Sequence, residues 1–375
     1  MKDERMVTLA KNLATYSLDL KPGERVWIES RGFPVLEMVK EMITQVTKKG
    51  AVPFWYYNDD SLTRRWLLDC NEEQIKRFAE FQLSMMKMTD AFVSFRGGDN
   101  AFDLGDVPDE KMKQFMNLYY KPVHLEQRVK HTRWVVLRYP TNSFAQLAET
   151  SQEAFEDFYF EVCNLDYSKM SKAMEPLCEL MSRTDRVRLV GPGTDLSFSI
   201  KGIPNKKCDG RLNIPDGEVY TAPVKTSVNG TITFNTPSLM QGVLYDGMSF
   251  KFKDGKIVDA RATVNQEKMN KLLDTDEGAR YVGEFAIGIN PAIRKCLKDT
   301  LFDEKIFGSI HFTPGAAYED ADNGNKSAIH WDLVLIQTKE YGGGEVYFDD
   351  VLVRKDGIFI HPQLKDVLSE KALKS

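Results

Sequence analysis

Cysteine is scarce in this chain and poorly placed for either of its structural uses. The five residues, Cys70, Cys163, Cys178, Cys208 and Cys296, are odd in number, widely scattered and free of CxxC spacing. That pattern argues against both a disulfide framework and a thiolate zinc site, and leaves reduced core thiols. Long apolar runs are also missing: nothing approaches the roughly 18 residues that cross a bilayer. The opening MKDERMVTLAKNL carries charge through an amphipathic pattern where an export signal would have an apolar stretch. A cytoplasmic protein with no membrane partner is expected. There is no dense basic block either. Lys and Arg are spread along a chain of formal net charge -5, which leaves no electrostatic footprint for nucleic acid.

What is present is the composition of an ordinary globular protein, 42% hydrophobic and 28% charged. At 375 residues the chain exceeds the size at which one hydrophobic core stops growing, so two domains are expected. The first half alternates helical periodicity (Arg5 to Leu18, Pro34 to Lys48, Asn71 to Met88, Asp109 to Arg128) with short β-branched or aromatic runs. Those runs are Arg25 to Glu29, Val52 to Tyr57, Ala91 to Phe95 and Arg133 to Arg138. Strands separated by helices of that length imply βαβ units and a mainly parallel sheet. Thr150 and Glu153 suggest a capping box for the helical stretch that follows. After about Thr184 the texture becomes strands and turns, with Asp254-Gly255 and Asp356-Gly357 spaced as two-residue hairpins. The expected architecture is an α/β domain over residues 1–184 and a β-rich, α+β catalytic domain over 185–375.

Chemistry-bearing residues gather in the second half. Ile329-His330-Trp331-Asp332-Leu333 lies inside an apolar run. If that run is a strand, His330 and Asp332 share a face about 6.5 to 7 Å apart, a spacing that suits one divalent metal or two adjacent ones. The plain alternative is a buried His-Asp hydrogen bond. His311 sits in a second apolar run, with Tyr318 seven residues on. Glu218 follows a Pro-Asp-Gly turn, Glu284 opens an apolar segment, and Glu304 closes Thr300-Leu301-Phe302-Asp303-Glu304. Any one of these, taken alone, reads as a core histidine or an edge charge.

Taken in order, the blocks GEVYTAP, LLDTDEGARYVGE and TLFDE, a His followed seven residues later by Tyr, and then HxD resemble the M29 metallo-aminopeptidases. The likeness spans the chain, with DFYFEVCNLDY at Asp157 to Tyr167 adding a weaker block in the first half. The resemblance implies two divalent metal ions, zinc or cobalt with manganese also suited, held by Glu218, Glu284, Glu304, His311, His330 and Asp332. It further implies Tyr318 beside them, Glu218 as a second catalytic candidate, a homodimer, and peptides with a free N-terminus as substrates. The chain departs from the family pattern after Glu304: the family continues Asp-Glu-Asn-Ala at a shorter spacing, whereas this chain reads Asp303-Glu304-Lys305-Ile306.

These residue types suit amide hydrolysis, because a water between two cations becomes hydroxide-like as its pKa falls toward about 7. Carboxylates then balance the metals' charge. Tyr318 would donate to the developing oxyanion. A different dinuclear metallohydrolase, such as an amidase or phosphoesterase, and a non-catalytic binding module remain the rival readings.

Overall fold

The protein is described by a computed structural model over residues 3–100, 102–240 and 242–374. Its contacts divide it into two compact units, Met1–Asn164 with Gly210–Ile214, and Leu165–Asp209 with Pro215–Ser375. This division differs from a single boundary near residue 185. The helix Tyr167–Arg183 goes with the second unit, and the chain returns briefly to the first at Gly210–Ile214. Composition could not show either point, because a helix reads alike whichever core it packs on.

The first unit is built on a parallel sheet in the order Val52–Asn58, Arg25–Arg31, Ala91–Arg96, Arg133–Arg138, Asn213–Ile214. Trp27, Phe92 and Trp134 lie side by side in register and pack with Ile75, Met86, Tyr119 and Val123 from the covering helices. The expected strands and long helices are all present. Two short helices, Asp60–Asp69 and Asn142–Leu147, were not expected. The helix expected to start at Thr150 starts one residue later: the extended backbone of Ser151 lets its Oγ accept from Ala154 N at 3.2 Å.

The second unit stacks two antiparallel sheets. One has eight strands; the other runs Leu333–Ile336, Ser309–Pro314, Val282–Gly288, Glu218–Thr221, Lys206–Cys208. Side chains alternate across a strand, and here the two faces differ sharply in character. Phe285 and Phe312 meet Phe198 of the larger sheet at ring distances of 5.0 and 5.2 Å, and Phe312 meets Phe252 at 5.7 Å. Glu284, His311 and Thr313 fall on the opposite face by register. Both hairpins form with left-handed backbone at Asp254, Gly255, Asp356 and Gly357.

Phe312 is wholly buried at the centre of this sandwich. Phe312→Ala should therefore cost about 3–5 kcal/mol, read as a lower denaturation midpoint with unchanged slope. A loss below about 1 kcal/mol would mean that the aromatic layer does not hold the sheets together.

Candidate metal centre

Three neighbouring strands and the extended chain beside them bring the candidate ligands together. Glu218 opens its strand, Glu284 stands third in Val282–Gly288, and His311 is third in Ser309–Pro314. Gly283 forms a bulge, with the register shifting between Val282 and Glu284. A Cβ at Gly283 would lie 2.2 Å from the Ala316 carbonyl, so only glycine lets the chains approach there. Bulges of this kind re-aim the following side chain.

The His330-Asp332 segment is not a regular strand as expected. His330 makes one isolated bridge to Gly315, and the strand proper begins at Leu333. The side chains of His330 and Asp332 nevertheless meet, with Nε2 3.2 Å from Oδ1. Trp331 turns the other way, is buried, and donates from Nε1 to Ser238 Oγ at 2.9 Å.

The side chains of Glu218, Glu284 and His311 offer donor atoms lying within 4.8 Å of one another, and so do those of Glu284, His330 and Asp332. Glu284 belongs to both groups. Its Oε1 lies 2.7 Å from His311 Nε2, and its Oε2 lies 3.5 Å from His330 Nε2. The Ala316 carbonyl accepts from His330 Nδ1 at 2.7 Å, which leaves Nε2 facing Asp332 Oδ1 at 3.2 Å. Thr313 Oγ1 donates to Asp332 Oδ1 at 2.7 Å. Such outer partners set the tautomer and direction of metal ligands.

Glu218 Oε2, Glu284 Oε2 and His311 Nδ1 are buried and have no hydrogen-bond partner among the described residues. Buried polar atoms are normally satisfied, and all three are of ligand type. Glu218 Oε2 lies 3.6 Å from His311 Nδ1, and Glu284 Oε2 lies toward His330. This donor set of carboxylates and imidazoles fits divalent cations.

Glu304 takes a different place. It caps the short helix Thr300–Asp303 and pairs with Lys305 Nζ, outside both donor groups. Lys305 is almost fully buried and also reaches Glu218 Oε1 at 2.6 Å and Asp216 Oδ1 at 3.6 Å. A third acidic group, Cys208 with Asp216 and Glu218, thus has a built-in cation. Sequence reasoning missed Lys305, although the departure from the family pattern falls on it. Nor did it foresee the supporting roles of Thr313 and the Ala316 carbonyl. Tyr318 is 49% exposed overall, with its ring 4.5 Å from that of His330. Burial of its phenol, and then the fields of Glu284 and Asp332, push that group well above its ordinary range, so it stays a donor.

Burial alone would discharge the imidazoles, but the carboxylates prevail. Glu218 and Glu284 push His311 up to about 9, and Asp332 with Glu284 holds His330 well above its usual value. Burial, helped by Glu218 and Asp332 and opposed by Lys305, pushes Glu304 up to about 8.

Geometry of this kind gathers oxygen and nitrogen donors on a sheet face, where they could hold a metal ion. Residues 2–357 match the family model described as thermophilic metalloprotease (M29), and the chain belongs to that family. Aminopeptidase T of Thermus aquaticus is 25% identical over 398 aligned residues, covering 93% of this chain and 95% of that protein. The solved AmpT of Thermus thermophilus shares the fold with a TM-score of 0.81 at 23% identity, over 95% of this chain and 99% of that one. A 2,5-dihydroxypyridine dioxygenase of Pseudomonas putida KT2440 shares the fold more loosely, with a TM-score of 0.63 at 11% identity over 96% and 98% of the two chains. Among the described residues no helix is long and apolar enough to cross a membrane.

His311 supplies a test of the site's electrostatics. Its unfolded pKa is about 6.5 and its folded value about 9, so its stabilisation is complete below the first and is lost as pH rises through the second. The Tm of chelated protein should fall across that interval. Added divalent cation competes with the proton for the same ring and should flatten the fall. A chelated protein whose Tm stays level from about pH 6.5 to 9 would show that His311 is not held by its carboxylates.

Proposed function

We propose that this chain is a two-metal-dependent aminopeptidase that removes the N-terminal residue of peptides. The observation that carries the reading is Glu284, one buried carboxylate belonging to two donor groups at once. Glu218 and His311 would complete one cation position, and His330 and Asp332 the other. Zinc or cobalt suits this mixed set, and manganese is also compatible with it. When bound, the cations would lower the pKa of a coordinated water and polarise the scissile carbonyl.

The protein's own groups would do the rest. Thr313 and the Ala316 carbonyl hold Asp332 and His330 in their directions. Glu218 has Oε1 fixed by Lys305, leaving Oε2 as a ligand or proton acceptor. A surplus of carboxylates suits the charged α-amine of an unblocked peptide. Tyr318, half-exposed at the rim, would donate its hydroxyl to the oxyanion. The same reading includes a homodimer, which the family likeness implies, and a cytoplasmic location; sedimentation and cell fractionation test the two.

Hydrolysis of leucine anilide by purified protein should vanish on chelation and return with divalent cation, while N-acetylated peptides should resist cleavage. Full activity after exhaustive metal removal would overturn the metal mechanism, and equal rates on blocked and free peptides would overturn the exopeptidase assignment. Phosphate-ester hydrolysis in place of anilide hydrolysis would point to the rival dinuclear hydrolase.

Tyr318→Phe separates catalysis from metal binding. Metal content and Tm should stay normal while kcat falls roughly a hundredfold or more, the scale for losing one oxyanion donor. Loss of metal in this variant would put Tyr318 in the coordination shell or its support.

A further inference from the structure

The first unit carries a second concentration of charge, of the opposite sign and independent of the metal centre. On the face bearing Trp27, Phe92 and Trp134, the next row toward the strand ends is Glu29, Ser94 and Val136. The row after that is Arg31, Arg96 and Arg138, in register on three adjacent parallel strands. Neighbouring strands lie about 4.8 Å apart, so three guanidinium-bearing side chains start from one edge. That edge is the carboxyl end of the sheet. The strand order places Val52–Asn58 and Arg25–Arg31 on one side and Ala91–Arg96 and Arg133–Arg138 on the other. The direction of winding therefore reverses between Arg31 and Arg96, and open α/β sheets bind their ligands outside such a switch point.

The acids beside Arg31 do not satisfy it. Arg31 stands 3.6 Å from Glu29 and 3.7 Å from Asp60, both beyond hydrogen-bond length. Glu29 is itself buried and spends one oxygen on Ser94 Oγ at 2.6 Å. Arg31 Nε and Arg96 Nε are buried without a partner among the described residues. Behind them Arg128, only 4% exposed, also leaves Nη1 unpartnered. It stacks 4.4 Å from the Trp134 ring and 5.3 Å from the Phe92 ring. Burial, and then Arg31 and Arg138 on either side, pull Arg96 down to about 10. Neither residue is sealed off: Arg96 is half-buried, and the Arg31 side chain retains 24% of its exposure.

We propose that the Arg31-Arg96 switch point is a binding site for an oxyanion, a carboxylate or a phosphate carried by a small ligand. Paired guanidiniums match the planar, two-oxygen edge of such groups, and Arg128 lends the field from behind.

The test is calorimetric titration of the full-length, metal-loaded protein with inorganic phosphate in one arm and N-acetylglycine in the other, against chloride at equal ionic strength. Wild type should give saturable binding in at least one arm, and the arm that saturates tells phosphate from carboxylate. Arg96→Met should weaken that binding by at least about tenfold while leaving peptidase activity unchanged. Should Arg96→Met not fold, Arg31→Lys, which keeps the charge and loses the planar fork, should show the same weakening. An anion held at the metal centre would be unaffected by either substitution. Overturning results are no saturation beyond chloride in either arm, or undiminished affinity in the folded variant.

Discussion

Gathering carboxylates on a buried sheet face imposes the constraint to which the rest of the second unit responds. Two like charges 4 Å apart at an effective dielectric of about 20 repel by roughly 4 kcal/mol, and Glu218, Glu284, Glu304, Asp332 and Asp216 converge there. Lys305 answers part of that repulsion with a buried ammonium group, and in the metal-free protein the same carboxylates favour the protonated forms of His311 and His330. The aromatic layer on the opposite face supplies the rigidity that keeps the acids from moving apart. The bulge at Gly283 and the hydrogen bond from Thr313 then direct individual oxygens.

Much of this was legible in the chain because strong local patterns coincide with the elements they specify. The parallel sheet followed from apolar runs spaced by helices, and the hairpins from Asp-Gly pairs whose left-handed backbone leaves few other choices. Ordered blocks of residues named the ligand candidates, and five of the six fall in the two donor groups. The sixth, Glu304, stands outside those groups and pairs with Lys305. No periodicity reports that Lys305 turns inward, because a lysine beside a glutamate ordinarily reads as solvated surface. The helix Tyr167–Arg183 joined the second unit for a similar reason: its apolar stripe says that it packs, not upon what.

The fold itself underdetermines the reaction. A dioxygenase shares the fold at 11% identity, so the frame alone does not set the reaction and the side chains placed on it must. In this chain those side chains include a buried ammonium group against Glu218 and Glu304. Comparison with proteins of the same fold should therefore begin at residues 304 and 305, where the local charge is decided, and only then extend to the scaffold.

Every residue of the Val282–Gly288 strand is buried, and its side chains alternate between the acidic face and the aromatic one. Such an element has no neutral position: a change on one side alters charge placement, and a change on the other alters sheet spacing. Sequence drift must then be absorbed elsewhere, in exposed turns such as Lys201-Gly202, where a Cβ would meet no neighbour and only the left-handed backbone sets the requirement. In a saturation mutagenesis map this strand would stand out as an unbroken intolerant band, whereas the half-solvated strands of the larger sheet would show every second position permissive.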